Sequence, residues 1–200
     1  FMGAASAIQE LVKERQIFQR ERSTGLSPTA YVASKILVLG LLVTAQSVFF
    51  TLFTFAGRPM PETGLVFASS SVEIVLVVSV LAFSGMLIGL LISNFAKTSE
   101  VALPALVVTT MLQVVFSGAV PLRFDSLAQT VGIMNPAYWA MNSMASTADL
   151  NSLLGYASDD EVLSWASTVS NWTASTWTLA GFAVFLSIAV LALGSMRRSR

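Results

Sequence analysis

The sequence predicts an all-α, polytopic transmembrane domain, and three observations carry that prediction. Hydrophobic residues make up 54% of the chain and charged residues only 11%, against about a quarter charged in ordinary soluble domains. Residues 36–57, 74–96 and 101–122 contain no charge, and 176–196 is a fourth uncharged run; each is close to the roughly 20 helical residues that cross a hydrocarbon core. Lys13, Arg15, Arg20, Arg22, Lys35, Lys97, Arg197, Arg198 and Arg200 fall on one side of these runs, and only Arg58 and Arg123 on the other. The positive-inside bias puts the larger group in the cytoplasm. The expected location is a plasma membrane, of the bacterial inner-membrane kind, with a multi-pass chain and a cytoplasmic C-terminus.

The elements follow in order within one transmembrane domain, 1–200. Residues 1–8 are apolar but too short to cross, and read as the cytoplasmic end of a span that starts earlier. Residues 9–30 form a cytoplasmic segment. Between Gln9 and Gly25 it holds seven of the chain's charged residues, together with an Ile17-Phe18 pair that water would not favour, so a soluble protein is expected to dock there. The alternative is a solvated amphipathic helix on the inner leaflet. Spans are expected at 31–57, 66–96, 101–120 and 174–196, running alternately outward and inward.

Pro59 and Pro61 break the chain in the first outer turn, and Thr98 or Ser99 is placed to cap the third span. Pro104 is expected in that span's first turn, where a missing N–H costs little. Residues 121–173 form a long outer excursion. Its apolar clusters, Phe124, Leu127, Val131, Ile133 and Met134, then Leu153, Leu154, Val162, Leu163 and Trp165, call for burial in short re-entrant helices. Asp159-Asp160-Glu161 suits the start of such a helix. Trp165, Trp172 and Trp177 fit an interfacial aromatic belt at the outer mouth of the last span.

Several chemistries are excluded. The chain has no cysteine and no histidine, so it offers neither disulfides nor His–Cys metal sites nor a histidine base, and no metal site is expected. A net charge of zero implies no nucleic-acid field. No ionisable side chain falls within the uncharged runs except at their edges, which disfavours proton-coupled carriage.

The polar residues inside the spans are neutral and striped. Thr109, Gln113 and Ser117 recur every four residues with Thr110 beside them, and with Phe116 they make the candidate substrate path; the alternative is that the hydroxyls bond back to their own helix carbonyls. Thr44, Ser47, Thr51 and Thr54 form a second stripe that suits packing. Gly85 and Gly89 make a small-xxx-small pair that lets a neighbouring helix approach closely.

Taken in order, the charged segment ending Ile17-Phe18-Gln-Arg20-Glu21-Arg-Ser-Thr-Gly25, then Tyr31 and Lys35, Phe116-Ser-Gly118-Ala-Val-Pro121, and Asn135-Pro136-Ala-Tyr138-Trp139-Ala-Met141 resembles the membrane domains of ABC type-2 exporters with the G-subfamily-like fold. The match in order runs over nearly the whole chain. The family often has a proline shortly before the Asn-Pro element, and Asp125-Ser-Leu127-Ala lacks it.

The resemblance implies a coupling helix that carries Glu10, Ile17, Phe18, Arg20, Glu21 and Gly25. It also implies an outer re-entrant element built on Gly118, Pro121, Asn135, Pro136 and Tyr138. As partners it implies a nucleotide-binding domain, fused upstream or separate, and a second membrane domain in a homodimer within the lipid bilayer. No Gly-rich phosphate loop with Lys-Ser or Lys-Thr occurs in this sequence. ATP and Mg would therefore bind on the partner domain, and this chain is not expected to be an enzyme by itself. An uncharged path suits a lipid, glycolipid or other amphipathic substrate. The competing readings are a passive channel and a non-transporting structural subunit.

Overall fold

A computed structural model describes residues 1–8, 10, 27–57, 63–96, 98–119, 126–154 and 165–196. Eight helices are defined among them: α1 Met2–Ala7, α2 Pro28–Phe55, α3 Ser70–Phe95, α4 Ser99–Val115, α5 Ser126–Ile133, α6 Pro136–Thr147, α7 Leu150–Leu154 and α8 Val169–Met196. The described residues contain no strand. Three of the helices, α2, α3 and α8, are long and apolar enough to cross a membrane.

Local chemistry sets the ends. Ser27 accepts the Ala30 N–H at 3.3 Å ahead of Pro28, so a serine cap precedes a proline whose fixed φ suits the first helical position. Thr168 accepts the Asn171 N–H at 3.3 Å and starts α8 in the same way. After Phe55 the chain turns through Gly57 at φ 76°, a left-handed conformation that glycine adopts without steric cost.

Several boundaries differ from the sequence expectation: α2 begins at Pro28 rather than 31 and α8 at Val169 rather than 174, and the middle helices differ as well. The second long helix begins at Ser70 rather than 66, and residues 66 and 67 ahead of it give their amides to a side chain (below). The third stops at Val115, followed by a turn and Gly118 at φ 83°, short of the expected 120. At 17 residues it sits at the low end of what spans a bilayer. Its start at Ser99 also moves Pro104 out of the first turn and inside the helix, where the missing N–H leaves the Glu100 carbonyl without its helical donor.

Packing divides the chain into two compact units. The first comprises 1–46, 82–111 and 182–200. Its main core is Ala7, Val32, Leu39, Val43, Met86, Leu87, Leu90 and Val190, beside a smaller cluster of Ala4, Ile8, Ala96, Ala102 and Leu106. Here α1 crosses α3 backbone to backbone. A Cβ on Gly89 would stand 2.5 Å from the Ala4 carbonyl oxygen, and one on Gly3 would run into the Ala82 carbonyl. Gly85, 3.7 Å from the Ala4 nitrogen by the same construction, has room for a methyl.

We therefore expect Gly89→Leu to cost about 3 kcal/mol or more by overpacking, read as a loss of folded yield and a lower thermal midpoint, while Gly85→Ala stays close to wild type. Equal tolerance at both positions would remove the packing role from Gly89.

The second unit comprises 47–81 and 112–181. Its core is Val77, Ala140, Trp172 and Leu179, with Leu65, Leu76, Val80, Leu81, Trp139 and Met144 packed on it. Trp172, expected in an interfacial belt, is instead 5% exposed and meets Phe67 edge to face at 6.0 Å. It lies in the first turn of α8, on the face turned toward the unit's core, whereas Trp177 is 76% exposed. Ser47 of α2 and Ser79 of α3 share a hydrogen bond of 2.8 Å, while Thr51 and Thr54 bond back to the Ser47 and Phe50 carbonyls of their own helix and Thr44 is exposed. Among the described members of the outer apolar clusters, Val131, Ile133, Met134, Leu153 and Leu154 are exposed on the chain and Trp165 is half-buried; Phe124, Val162 and Leu163 lie outside the described residues.

Candidate functional site

The charged segment is described only at its base. Glu10 lies just beyond α1 and forms an ion pair with Lys35 of α2 at 2.9 Å, the two side chains being 33% and 20% exposed. The Lys35 ammonium also sits 5.9 Å from the Tyr31 ring centroid, within the range of a cation–π contact. Ile17, Phe18, Arg20, Glu21 and Gly25 lie outside the described residues, as does Pro121.

The polar face of α4 divides by exposure. Thr110 and Ser117 are buried, and Thr109, Gln113 and Phe116 are half-buried. The Thr110 hydroxyl is bonded to the Leu106 and Val107 carbonyls at 2.9 and 3.0 Å. Ser117 donates to the Val114 carbonyl at 2.8 Å and accepts the Ala119 N–H at 3.2 Å. Both hydroxyls thus terminate in their own backbone, which leaves Thr109, Gln113 and Phe116 as the partly open members of the face.

Beyond α4 the chain folds back through an Asn-Pro joint. Asn135 caps α6 by accepting the Ala137 N–H at 3.0 Å on Oδ1. Its Nδ2 donates to the Gln113 carbonyl at 2.9 Å. One amide therefore fixes the start of α6 and anchors it to the end of α4, using both the acceptor and the donor ends of the group. Pro136 occupies the first helical position. The Tyr138 ring fills the space beside two glycines: a Cβ on Gly118 or Gly132 would come within 3.7 or 3.5 Å of it. Gly118, Asn135, Pro136 and Tyr138 are thus gathered at one place. Trp139 braces the joint by donating from Nε1 to the Ile133 carbonyl at 2.8 Å.

Sequence reasoning missed Glu73. It stands in the first turn of α3, fully buried. Oε1 accepts the N–H groups of Val66 and Phe67 at 2.6 and 3.0 Å, and Oε2 accepts the Thr147 hydroxyl at 2.8 Å. A buried carboxylate is costly unless donors surround it, and here three do. Gly64 is part of the arrangement, since a Cβ there would lie 2.5 Å from Oε1. The sequence signal was a lone acid directly ahead of an uncharged run, matched by Asn142, Ser143, Ser146 and Thr147, which recur four apart in α6. Among the described residues no cluster of metal-ligating side chains occurs.

Comparison with known proteins bears on these features together. The family model described as ABC-2 family transporter protein matches residues 1–191. An ABC transporter ATP-binding/permease protein of Mycobacterium tuberculosis is 33% identical over 199 residues, which cover 98% of this chain and 22% of that protein. The chain therefore spans about a fifth of the length of that relative.

Proposed function

The chain belongs to the ABC-2 transporter family, and from that premise we propose that it is the membrane-spanning half of an ATP-driven exporter. In this reading residues 9–30 receive the motion of a nucleotide-binding domain, and the half-buried face of α4 lines the path. ATP and Mg bind on the partner domain, where the chemistry of hydrolysis resides. The relative of which this chain matches a fifth has both ATP-binding and permease in its description, which supports a domain fused in the same polypeptide.

The observation that carries the reading is the conjunction of two features in one apolar chain. A charged excursion, tied at its base to two helices by Glu10 and Lys35, precedes an Asn-Pro joint that turns the chain back after a short span. A passive channel or a structural subunit needs neither.

The substrate is proposed to be lipid-like, a glycolipid or another amphipath. The partly open side chains of the path, Thr109, Gln113 and Phe116, carry no charge, so a multiply charged solute would meet nothing to offset its desolvation. The exposed apolar residues of α4, among them Val107, Val108, Met111 and Leu112, suit cover by lipid and by a second copy in a homodimer. The C-terminus is proposed to be cytoplasmic, a reading supported by the positive-inside bias of the basic residues that follow α8.

The test is vanadate-sensitive ATP hydrolysis by the full-length protein in native-lipid nanodiscs, with Ile17→Ala/Phe18→Ala alongside. Hydrolysis is expected in the wild type. In the variant, coupling of hydrolysis to the membrane domain should fall by about tenfold with the fold intact. Absence of any ATPase activity, intrinsic or co-purifying, would bring the channel or structural reading forward.

A further inference from the structure

Glu10 and Lys35 are separated by 25 positions in sequence and by 2.9 Å in space. The stretch between them is the charged excursion itself, so the pair closes that excursion at its base. On one side of the closure α1 is locked against α3 through the backbone contacts at Gly3 and Gly89. On the other, Lys35 lies one helical turn beyond Tyr31, whose ring packs on the core that contains Val32 and Leu39. The ammonium is held between a carboxylate and an aromatic face. At 20% exposure it is largely shielded from the competing water and salt that weaken surface pairs.

We infer that the Glu10–Lys35 ion pair is the mechanical base of the transmission element, a pair of positioning residues that makes α1 and α2 respond as one body to force applied to residues 11–26. This rests on the transporter reading above. The physical reason is loop closure. A displacement applied to a stretch that is anchored only through the chain can be absorbed by rotation about dihedrals at its ends before either helix moves. A cross-link at its root removes that freedom and delivers the displacement to both helices together. The pair acts through the helices it holds.

The experiment uses the full-length protein in lipid nanodiscs and reads two quantities: ATP hydrolysis, and the change in backbone hydrogen exchange over residues 28–55 on adding ATP and vanadate. In the wild type a nucleotide-dependent change is expected across α2. In Lys35→Glu, hydrolysis should stay within about twofold while that change shrinks by about fivefold or more, and the exchanged pair Glu10→Lys/Lys35→Glu should restore it. Lys35→Gln, which deletes the charge without reversing it, provides the same reading should Lys35→Glu fail to fold. An undiminished exchange response in Lys35→Glu or Lys35→Gln, or an exchanged pair that fails to recover it, overturns the inference. A wild type with neither hydrolysis nor response overturns the transporter reading beneath it, which keeps the two failures distinct.

Discussion

Glu73→Ala is expected to destabilise the protein by about 3–5 kcal/mol, a large share of the roughly 5–15 kcal/mol that holds a domain together. The carboxylate accepts two backbone amides and a hydroxyl, and the residue is fully buried. Truncation would strand the Val66 and Phe67 donors at about 1–3 kcal/mol each. Thr147 suffers less, because its hydroxyl also reaches the Ser143 carbonyl at 3.2 Å and keeps that acceptor.

The same geometry makes Glu73→Gln mild. The amide oxygen can take the place of Oε1 toward both N–H groups, and its NH2 can donate to the Thr147 oxygen. Thermal unfolding of the purified protein in lipid checks the pair. An alanine variant that melts with the wild type, or a glutamine variant as damaged as the alanine one, would show that the three bonds contribute little.

At the Asn-Pro joint the expected order of damage is Asn135→Asp, then Asn135→Ala, then Asn135→Ser. Serine keeps an oxygen that can cap α6 and loses only the donation to the Gln113 carbonyl, worth about 1 kcal/mol. Alanine loses both functions, for about 2 kcal/mol together. Aspartate retains the cap but sets a carboxylate oxygen where Nδ2 donates to the Gln113 carbonyl at 2.9 Å, and facing two acceptors costs about 3 kcal/mol. The order is the informative quantity, because Asp is as good a helix cap as Asn in isolation. Thermal midpoints of the three variants read it, and an aspartate variant more stable than the alanine one would reduce Asn135 to a cap alone.

These two sites show what the sequence makes legible. The long helices are readable because an uncharged apolar run of the right length has few other ways to fold in a membrane. The Asn-Pro element is readable because asparagine before proline is a helix start with a known mechanism. Glu73 was not, since its donors lie at positions 66, 67 and 147, and only the fold brings the last one near. The start of α3 at Ser70 rather than 66 was equally hidden, because the segment ahead of it is organised around the buried carboxylate rather than by its own apolar pattern.

Trp172 read as a belt residue because tryptophan near a span end usually is one. Its burial was decided by the rotational phase of α8, which an apolar run without a strong polar face does not disclose. The exposure of Val131, Ile133 and Met134 was likewise hidden, because apolarity states a preference to leave water and not which neighbour provides the cover.

The clamp at Glu73 also imposes an order on biosynthesis. Val66, Phe67 and Glu73 leave the ribosome within one short stretch, and two of the three bonds to the carboxylate can close at once. The third partner, Thr147, comes 74 residues later, an interval of about 4–15 s at translation rates of 5–20 residues per second. Throughout that interval the carboxylate at the head of α3 has two of its three protein donors, and water has to serve where the Thr147 hydroxyl will later stand. The last of the three bonds therefore forms only once α6 has been made.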